Sequence, residues 1–254
     1  MTPLAVVGNL ARDEIAGEPP RAGGGPYHCA RALRLLSERA MIVARSGDPS
    51  LFGPLITLGV PVTRVVGKAT SSFAFHYEGD VRFMTVTGLG DTWGPETAGL
   101  LAPGGWVHVA PLARSDFPPE TLAAYARKGR RISLDGQGLV RPARTGPLEL
   151  DADYDPELLR HVSILKLAEE EAAVLGDLSA LSVPEIVVTH GTRGSHVHFG
   201  GTVQHVRAHG LDVDPTGAGD MFSAAYMAAR AARQAPVAAA RRASSVVAEV
   251  LAGL

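Results

Sequence analysis

The residues whose types and spacing could do chemistry lie in the segment DPTGAGD, residues 214–220. Gly217, Ala218 and Gly219 let the backbone turn tightly and direct successive N–H groups at one spot. An alanine-rich helical pattern follows, so this spot lies at a helix N-terminus and attracts an anion. Asp220 would repel a bound phosphate unless it accepts a proton from an attacking hydroxyl. The pattern predicts phosphoryl transfer to an alcohol; the alternative is an ordinary loop with Asp220 as a helix cap.

The elements that must position this segment follow an alternating pattern. The 254 residues are enough for one α/β domain, which we expect to span residues 1–254. Short runs rich in Val and Ile alternate with helical patterns, as in a parallel sheet with crossover helices. The predicted core strands are 4–8, 41–45, 106–110, 131–135, 163–167 and 185–190. The predicted helices are 27–37, 49–58, 119–128, 169–175, 217–230 and 236–252.

Two segments break the alternation. Residues 72–77 and 81–87 flank Glu-Gly-Asp and predict a hairpin. Together with 62–66, they could form a small lid of strands over one end of the sheet. This lid would consist mainly of residues 62–90, with part of 12–22. An ordinary edge hairpin is the alternative. A second hairpin is predicted just before the DPTGAGD segment, from 196–199 and 202–206.

The composition excludes several classes of protein. The net charge is −2, from 24 basic and 26 acidic side chains, which gives no indication of a nucleic-acid or membrane partner. Cys29 is the single cysteine, so no internal disulfide can form, and a reducing cytoplasm suits it. We expect no signal peptide and no membrane helix, and therefore a cytoplasmic protein.

The DPTGAGD segment, in this context, resembles the C-terminal signature of the ribokinase-like sugar kinases, the PfkB family. The resemblance implies a three-layer αβα fold with a mostly parallel sheet and a strand lid that closes on the sugar. In some relatives the lid also pairs two subunits, so a homodimer through the lid is an expectation. The resemblance further implies ATP as phosphoryl donor, Mg²⁺ as cofactor, and a small sugar or polyol as acceptor. The runs at 106–111 and 188–190 are similar to those of the branch that includes inositol-kinase-like proteins.

The acceptor residues implied by the resemblance lie near the N-terminus. Asp13 follows the first strand, and similar kinases use an Asp there to accept two sugar hydroxyls. Gly24 and Gly25 belong to the family's first glycine signature, whose N–H groups approach the sugar. His28 stands where the family usually has Asn and is a candidate acceptor contact. Asp13 could instead be a turn or capping residue.

A third segment follows the strand that ends at Asp135. It is similar to the family's Asp-x-Asn-x-Arg segment, with Gln137 for the Asn and with Arg141 two residues later than usual. The resemblance implies that Asp135 and Gln137 contact the acceptor. Arg141 would neutralise charge on the moving phosphoryl group, or would be an ordinary surface arginine.

The donor side is implied by two further matches. Thr189, Gly191 and Gly194 occupy the Thr and the two Gly positions of the family's Thr-x-Gly-x-x-Gly nucleotide loop. Glu171 fits the Glu of Asn-x-x-Glu, which holds magnesium through water, although Ala168 stands where the Asn is expected. Acidic residues at a helix start also interact favourably with the helix dipole without any metal.

Two other functions stay open at this point. A nucleoside kinase of the same fold would need a slot for the base, which Phe73, Phe75 or Tyr77 could supply from the lid. A non-catalytic sensor that binds sugar or nucleotide would retain the fold without turnover. Ala168 favours the sensor slightly, whereas the intact Asp220 opposes it.

Potassium dependence gives a first testable expectation. Asp214 and Thr216 match part of the family's monovalent-cation loop, but the remaining ligands follow the family's last long helix and this sequence ends at 252–254. We expect weak or no activation by potassium. Turnover measured in potassium and in sodium at equal ionic strength checks this, and a large increase in potassium would contradict it.

Overall fold

Strands and helices alternate along most of the chain. The computed structural model describes residues 2–36, 40–78, 81–208 and 216–253. The strands are β1 (Leu4–Asn9), β2 (Ala11–Ile15), β3 (Arg21–Gly23), β4 (Ala40–Ser46), β5 (Val62–Val66), β6 (Ser71–Glu78), β7 (Val81–Gly88), β8 (Trp106–Ala110), β9 (Arg131–Asp135), β10 (Gly146–Pro147), β11 (Val162–Ala168), β12 (Glu185–Thr189), β13 (Ser195–Phe199) and β14 (Thr202–Val206). The helices are α1 (Gly25–Leu33), α2 (Phe52–Ile56), α3 (Pro119–Ala126), α4 (Gln137–Val140), α5 (Glu169–Leu175), α6 (Ala218–Ala231) and α7 (Pro236–Leu251). Every predicted core strand and helix is present, with small differences in its ends.

The main sheet has nine strands in the order β14-β13-β12-β11-β9-β8-β1-β4-β5. The pairings from β12 to β5 are parallel, while the hairpin of β13 and β14 adds antiparallel strands at one edge. Strand β1 pairs with β4 on one side and with β8 on the other, so the strand order reverses direction at β1. Open α/β sheets bind ligands at such a reversal, outside the carboxyl ends of the strands.

Alternation along β1 divides the core into two layers. Leu4 and Val6 belong to the cluster packed beneath α1, α6 and α7. Ala5 and Val7 belong to the cluster on the opposite face, packed beneath α3 and α5. Both faces of a parallel sheet must be covered, and here helices cover both. The predicted three-layer αβα architecture is therefore confirmed. Within the described ranges, no helix is both long and apolar enough to cross a membrane.

The lid is a second sheet of five strands, in the order β10-β7-β6-β2-β3. The predicted hairpin forms β6 and β7, and its turn residues 79 and 80 lie outside the described residues. A small apolar cluster, which includes Phe73, Phe75 and Val86, joins this sheet to the main body.

One segment differs from the prediction. Residues 62–66, which the sequence assigned to the lid, form the edge strand β5 of the main sheet. The short crossover through α2 returns the chain parallel to β4, and this pairs Ile42 with Val62. An edge strand is only half covered, so its apolar residues resemble those of a lid strand; Val66 is 91% exposed.

The end of β1 is tied to the segment that follows the lid. Trp93 donates its indole Nε1–H to Asn9 Oδ1 at 3.0 Å, and Asn9 Nδ2 donates to the carbonyl of Asp91, also at 3.0 Å. Trp93 is fully buried and stacks on Phe117. These contacts fix the chain that leaves the lid hairpin relative to the carboxyl end of β1.

A buried ion pair ties α6 to β12. The Glu185 carboxylate accepts hydrogen bonds from Tyr226 Oη at 2.6 Å and from the Arg230 guanidinium at 2.9–3.2 Å. Glu185 is 5% exposed, so these partners replace its lost hydration. The helix that begins at the DPTGAGD segment is thereby held against a central strand.

We expect Glu185→Ala to lower the free energy of unfolding by about 2–4 kcal/mol, because the buried phenol of Tyr226 and the partly buried guanidinium of Arg230 lose their partner. Urea denaturation measures this. The matched control is Glu157→Ala, which removes an exposed pair with Arg160 and should change stability by less than about 0.5 kcal/mol. Equal effects of the two substitutions would contradict the role assigned to Glu185.

Candidate active site

The anion-binding turn has the geometry that its glycines predict. Gly217 precedes α6 with φ 77°, in the left-handed region that favours glycine. A Cβ on Gly217 would lie 2.1 Å from Nδ1 of His28, so the imidazole occupies the space beneath this turn. His28, a candidate acceptor contact, is 7% exposed and packs against the turn itself. Asp214 lies outside the described residues.

The first glycine loop meets Asp220. Gly25 lies between Ala110 at the end of β8 and Asp220 at the start of α6. A Cβ added to Gly25 would lie 2.4 Å from the Ala110 side chain and 3.3 Å from Asp220 Oδ1, so only glycine fits here. Gly24 has φ 88° and approaches the backbone of β1 closely. Two distant sequence motifs, the first glycine signature and the DPTGAGD segment, thus come together at the carboxyl ends of the strands.

A lysine that the sequence analysis missed lies directly under the anion-binding turn. Lys166 is 5% exposed, and its Nζ lies 3.4 Å from Oδ2 of Asp135. A Cβ on Gly219 would lie 2.7 Å from the same Nζ, so the ammonium occupies the space beside that glycine. Burial lowers the pKa of Lys166, but the carboxylates of Asp135, Glu171 and Asp220 outweigh burial and raise it. Lys166 therefore stays charged.

One signal in the sequence could have identified Lys166. It is the single charged residue in the apolar strand β11, VSILKLA, and a charge in a buried strand requires a partner. The partner, Asp135, lies directly opposite on β9 in the parallel register. Asp135 also accepts a hydrogen bond from Gln137 N at 3.2 Å and lies 3.5 Å from Ser223 Oγ of α6.

Asp220 has a strongly perturbed pKa. Part of its surface is open to the cleft, although protein atoms surround the carboxyl group on most sides. Burial and the neighbouring carboxylate of Asp135 raise the pKa of Asp220 to about 7, while Lys166 and Arg141 act in the opposite direction. A carboxylate that exchanges a proton near neutral pH is suited to general base catalysis.

Glu171 is the third residue of α5, and it caps the N-terminus of that helix. Its Oε2 accepts a hydrogen bond from the backbone N–H of Ala168, the residue before the helix, at 2.8 Å. Burial raises the pKa of Glu171, and the nearby Lys166 lowers it. The structure thus brings Glu171 into the same buried group of charges as Asp135 and Asp220.

Arg141 joins the site to the lid. Its guanidinium carbon lies 6.0 Å from the ring centroid of Phe73 on β6, and its charge lowers the pKa of Asp220. Arg141 Nε and Gln137 Oε1 are buried and have no hydrogen-bond partner within the part of the chain that the structure describes. Buried polar atoms normally find partners, so these two atoms are exceptions that distinguish this end of the sheet.

A cavity of about 570 Å³ lies between the lid and α1. Its lining includes Asp13, Tyr27, His28, Phe75 and Thr216. This mixture of polar groups and aromatic rings suits a hydroxylated small molecule. The predicted acceptor residues Asp13 and His28 therefore line one cavity, whereas Asp135 is fully buried below it in its pair with Lys166.

The predicted donor loop follows β12. Thr189 Oγ1 donates to the carbonyl of Leu167 at 3.2 Å, and Gly191 has φ 56°. Gly194 has φ 102°, and a Cβ there would lie 2.1 Å from the carbonyl oxygen of Val206. The donor loop is thus packed against the end of β14, whose chain leads toward the anion-binding turn.

The perturbed carboxyl group gives a prediction that needs no substrate. In NMR spectra of protein carrying ¹³C-labelled aspartate carboxyls, we expect Asp220 to titrate near pH 7. Lys166→Met should raise that midpoint further, because the ammonium lowers the pKa of Asp220.

Asp48 provides the internal control. Its side chain accepts hydrogen bonds from the hydroxyl and the backbone N–H of Ser50, and these lower the pKa of Asp48. The Asp48 signal should therefore titrate at acid pH in the wild-type protein and in Lys166→Met. An Asp220 midpoint near the ordinary value of about 4 would contradict the described environment.

Similar solved structures share this architecture along almost the whole chain. A pyrophosphate-dependent kinase of the ribokinase family, bound to a pyrophosphate analogue and myo-inositol, aligns with a TM-score of 0.86 and 22% identity, covering 98% of this chain and 95% of that one. Fructokinase from Vibrio cholerae O395, bound to fructose, ADP and calcium, aligns with a TM-score of 0.75 and 19% identity, covering 99% and 93%. The chain therefore has the ribokinase fold.

Curated relatives are similar over shorter stretches. Inositol 3-kinase from Zea mays is 33% identical over 115 residues, which cover 43% of this chain and 30% of the relative. Fructokinase from Klebsiella pneumoniae is 30% identical over 167 residues, which cover 56% of this chain and 51% of the relative. The matches thus span about a third to a half of the length of these relatives.

A family profile covers much more of the sequence. The profile described as pfkB family carbohydrate kinase matches residues 21–252, which include both glycine motifs, Lys166 and Asp220. Since this match spans nearly the whole sequence, the chain belongs to the pfkB family of carbohydrate kinases.

Proposed function

We propose that this protein transfers a phosphoryl group from a magnesium-bound phosphoanhydride, with ATP as the donor typical of the family, to a hydroxyl of a small sugar or polyol. One observation carries the proposal. Asp220, with its pKa raised to about 7, lies at the N-terminus of α6 between the acceptor glycine Gly25 and the buried ammonium of Lys166.

Asp220 acts as the general base in this proposal. The acceptor lies in the cavity lined by Asp13 and His28, with one hydroxyl directed at the Asp220 carboxylate. As the bond between the hydroxyl oxygen and phosphorus forms, the hydroxyl proton passes to Asp220. The transition state of phosphoryl transfer is loose, so positioning contributes more than the strength of the base.

Charge on the transferring group is balanced by fixed groups of the protein. The N–H groups of Gly217, Ala218 and Gly219 supply the anion hole, supported by the helix dipole. Lys166 lies beneath it, and Arg141 approaches from the lid side. Because these groups are held by buried contacts, little reorganisation is needed as charge develops.

Magnesium fits this site through the phosphates of the donor rather than through a protein cage. Among the described residues, no group of three or more His, Cys, Asp or Glu side chains is arranged to hold a metal ion. Mg²⁺ commonly uses one or two carboxylates together with phosphates and waters. Glu171 is the carboxylate proposed to hold it through water, and the ion would neutralise charge on the donor phosphates.

The acceptor is proposed to be inositol-like or a hexose. The curated relatives named above are an inositol 3-kinase and a fructokinase, and a structural neighbour is bound to myo-inositol. Several hydroxyls on a small ring match the polar lining of the cavity. A nucleoside acceptor is supported by the rings of Phe75 and Tyr27 in that lining, which could stack on a base.

A non-catalytic sensor is the alternative from another class. It would not need a carboxylate whose pKa lies near 7, nor a buried lysine under the anion hole. ADP release with magnesium-ATP, screened against sugars, inositols and nucleosides, separates the two functions. Transfer to any acceptor supports the kinase, and ATP binding without transfer supports the sensor.

Asp220→Asn should lower turnover by at least about two orders of magnitude, since the amide cannot accept the hydroxyl proton, while donor binding stays nearly intact. Steady-state kinetics and calorimetry of donor binding measure the two effects. Asp177→Asn is the matched control, because Asp177 is exposed and its side chain accepts a local hydrogen bond from the backbone N–H of Ser179; it should retain full turnover. Near-normal turnover of Asp220→Asn would remove Asp220 from the role of base.

The pH dependence of the wild-type protein tests the same assignment. The base must be ionised, and the raised pKa of Asp220 keeps it largely protonated below pH 7. We therefore expect kcat/KM to increase with pH through about 7 and then to level off. A profile that is flat between pH 5 and 8 would be inconsistent with Asp220 as base.

A further inference from the structure

A cleft of about 520 Å³ opens between the end of β14 and one face of α7. The residues that line it are His205, Val206, Arg207, Arg241, Arg242 and Ser245. None of them belongs to the site described above, and together they will be called the arginine cleft.

The arginine cleft adjoins the donor side of the active site. Gly194 of the donor loop packs directly against Val206 and Arg207, at the rim of the cleft. The opposite wall, α7, packs against α6, whose N-terminus is the anion hole. Both walls of the arginine cleft thus continue into elements that border the proposed donor site.

The lining is rich in positive charge that the protein leaves largely uncompensated. Arg207, Arg241 and Arg242 are all exposed. Within the described residues, the one ion pair of these three is a loose contact of 3.8 Å between Arg242 and Glu249. Planar guanidinium groups match phosphate oxygens in pairs, so three of them around one cleft favour a polyanion.

The same lining offers little to a nucleoside base. Among the described residues that line it, Val206 is the single apolar side chain and is only 2% exposed. None of these described residues is Phe, Tyr or Trp. A base normally binds in an apolar or aromatic slot, and the side chains described here do not form one.

Building on the proposed function, we propose that the arginine cleft holds the leaving-group end of an inorganic polyphosphate, and that pyrophosphate and tripolyphosphate serve as phosphoryl donors. The acceptor hydroxyl oxygen bonds to the terminal phosphorus, and its proton passes to Asp220. The bond from that phosphorus to the bridging oxygen breaks. The bridging oxygen leaves with inorganic phosphate, or with pyrophosphate when tripolyphosphate is the donor, and the arginines neutralise its charge.

The experiment compares donors at a fixed acceptor. Formation of the phosphate monoester of myo-inositol and of fructose is followed by ³¹P NMR with the magnesium salts of pyrophosphate, tripolyphosphate and ATP. We expect kcat/KM for at least one inorganic donor to equal or exceed that for ATP. A lower value for both inorganic donors overturns the proposal, while transfer from ATP would leave the kinase function standing. Transfer from no donor would instead overturn the proposed function.

Substitutions test where the inorganic donor binds. Arg241→Ala and Arg242→Ala should each raise KM for the inorganic donor about tenfold, with a smaller change in kcat, because each removes a charge-assisted contact. Arg160→Ala is the matched control, since Arg160 is exposed and pairs with Glu157 elsewhere; its KM should not change. Because the cleft arginines are exposed, Tm should be retained. Unchanged KM in both cleft variants would overturn the assignment of the cleft.

Discussion

The buried charge of Lys166 is the interaction on which the rest of the site depends. Its ammonium meets Asp135 across two neighbouring strands and lies against Gly219 of the anion hole. Asp135, Glu171 and Asp220 would repel one another in the same buried volume without it, and removing one partner from a buried charge group is strongly destabilising. The lysine thus allows three carboxylates and the proposed phosphate site to share one end of the sheet.

This arrangement needs contributions from distant elements. The strand end at Asp135 and the neighbouring strand that carries Lys166 bring two charges together. Helix α6 is held above them through Ser223 in its first half and through the Glu185 pair in its second half. Arg141 extends the group toward the lid. A parallel sheet suits such a site because the carboxyl ends of its strands meet at one edge.

The sequence predicted the parts that local pattern controls. The glycine turn before α6 and the core strands follow from residue type and spacing, and the structure has them. Lys166 was missed because its importance arises from register, which places it opposite Asp135, and one strand's sequence does not reveal its partner. The segment 62–66 was assigned wrongly to the lid because a half-covered edge strand and a lid strand have the same composition. The roles proposed for Asp13, Gln137 and Glu171 stay predictions.

The contact between Cys29 and Asp220 has a consequence for biosynthesis. Cys29 Sγ donates to the backbone carbonyl of Asp220 at 3.3 Å, across a separation of 191 residues. During translation the acceptor loop and the central strand therefore leave the ribosome long before the anion-binding turn that completes them. The cavity between the lid and α1, whose lining includes Thr216 and Leu251, is likewise complete only when α7 has been made.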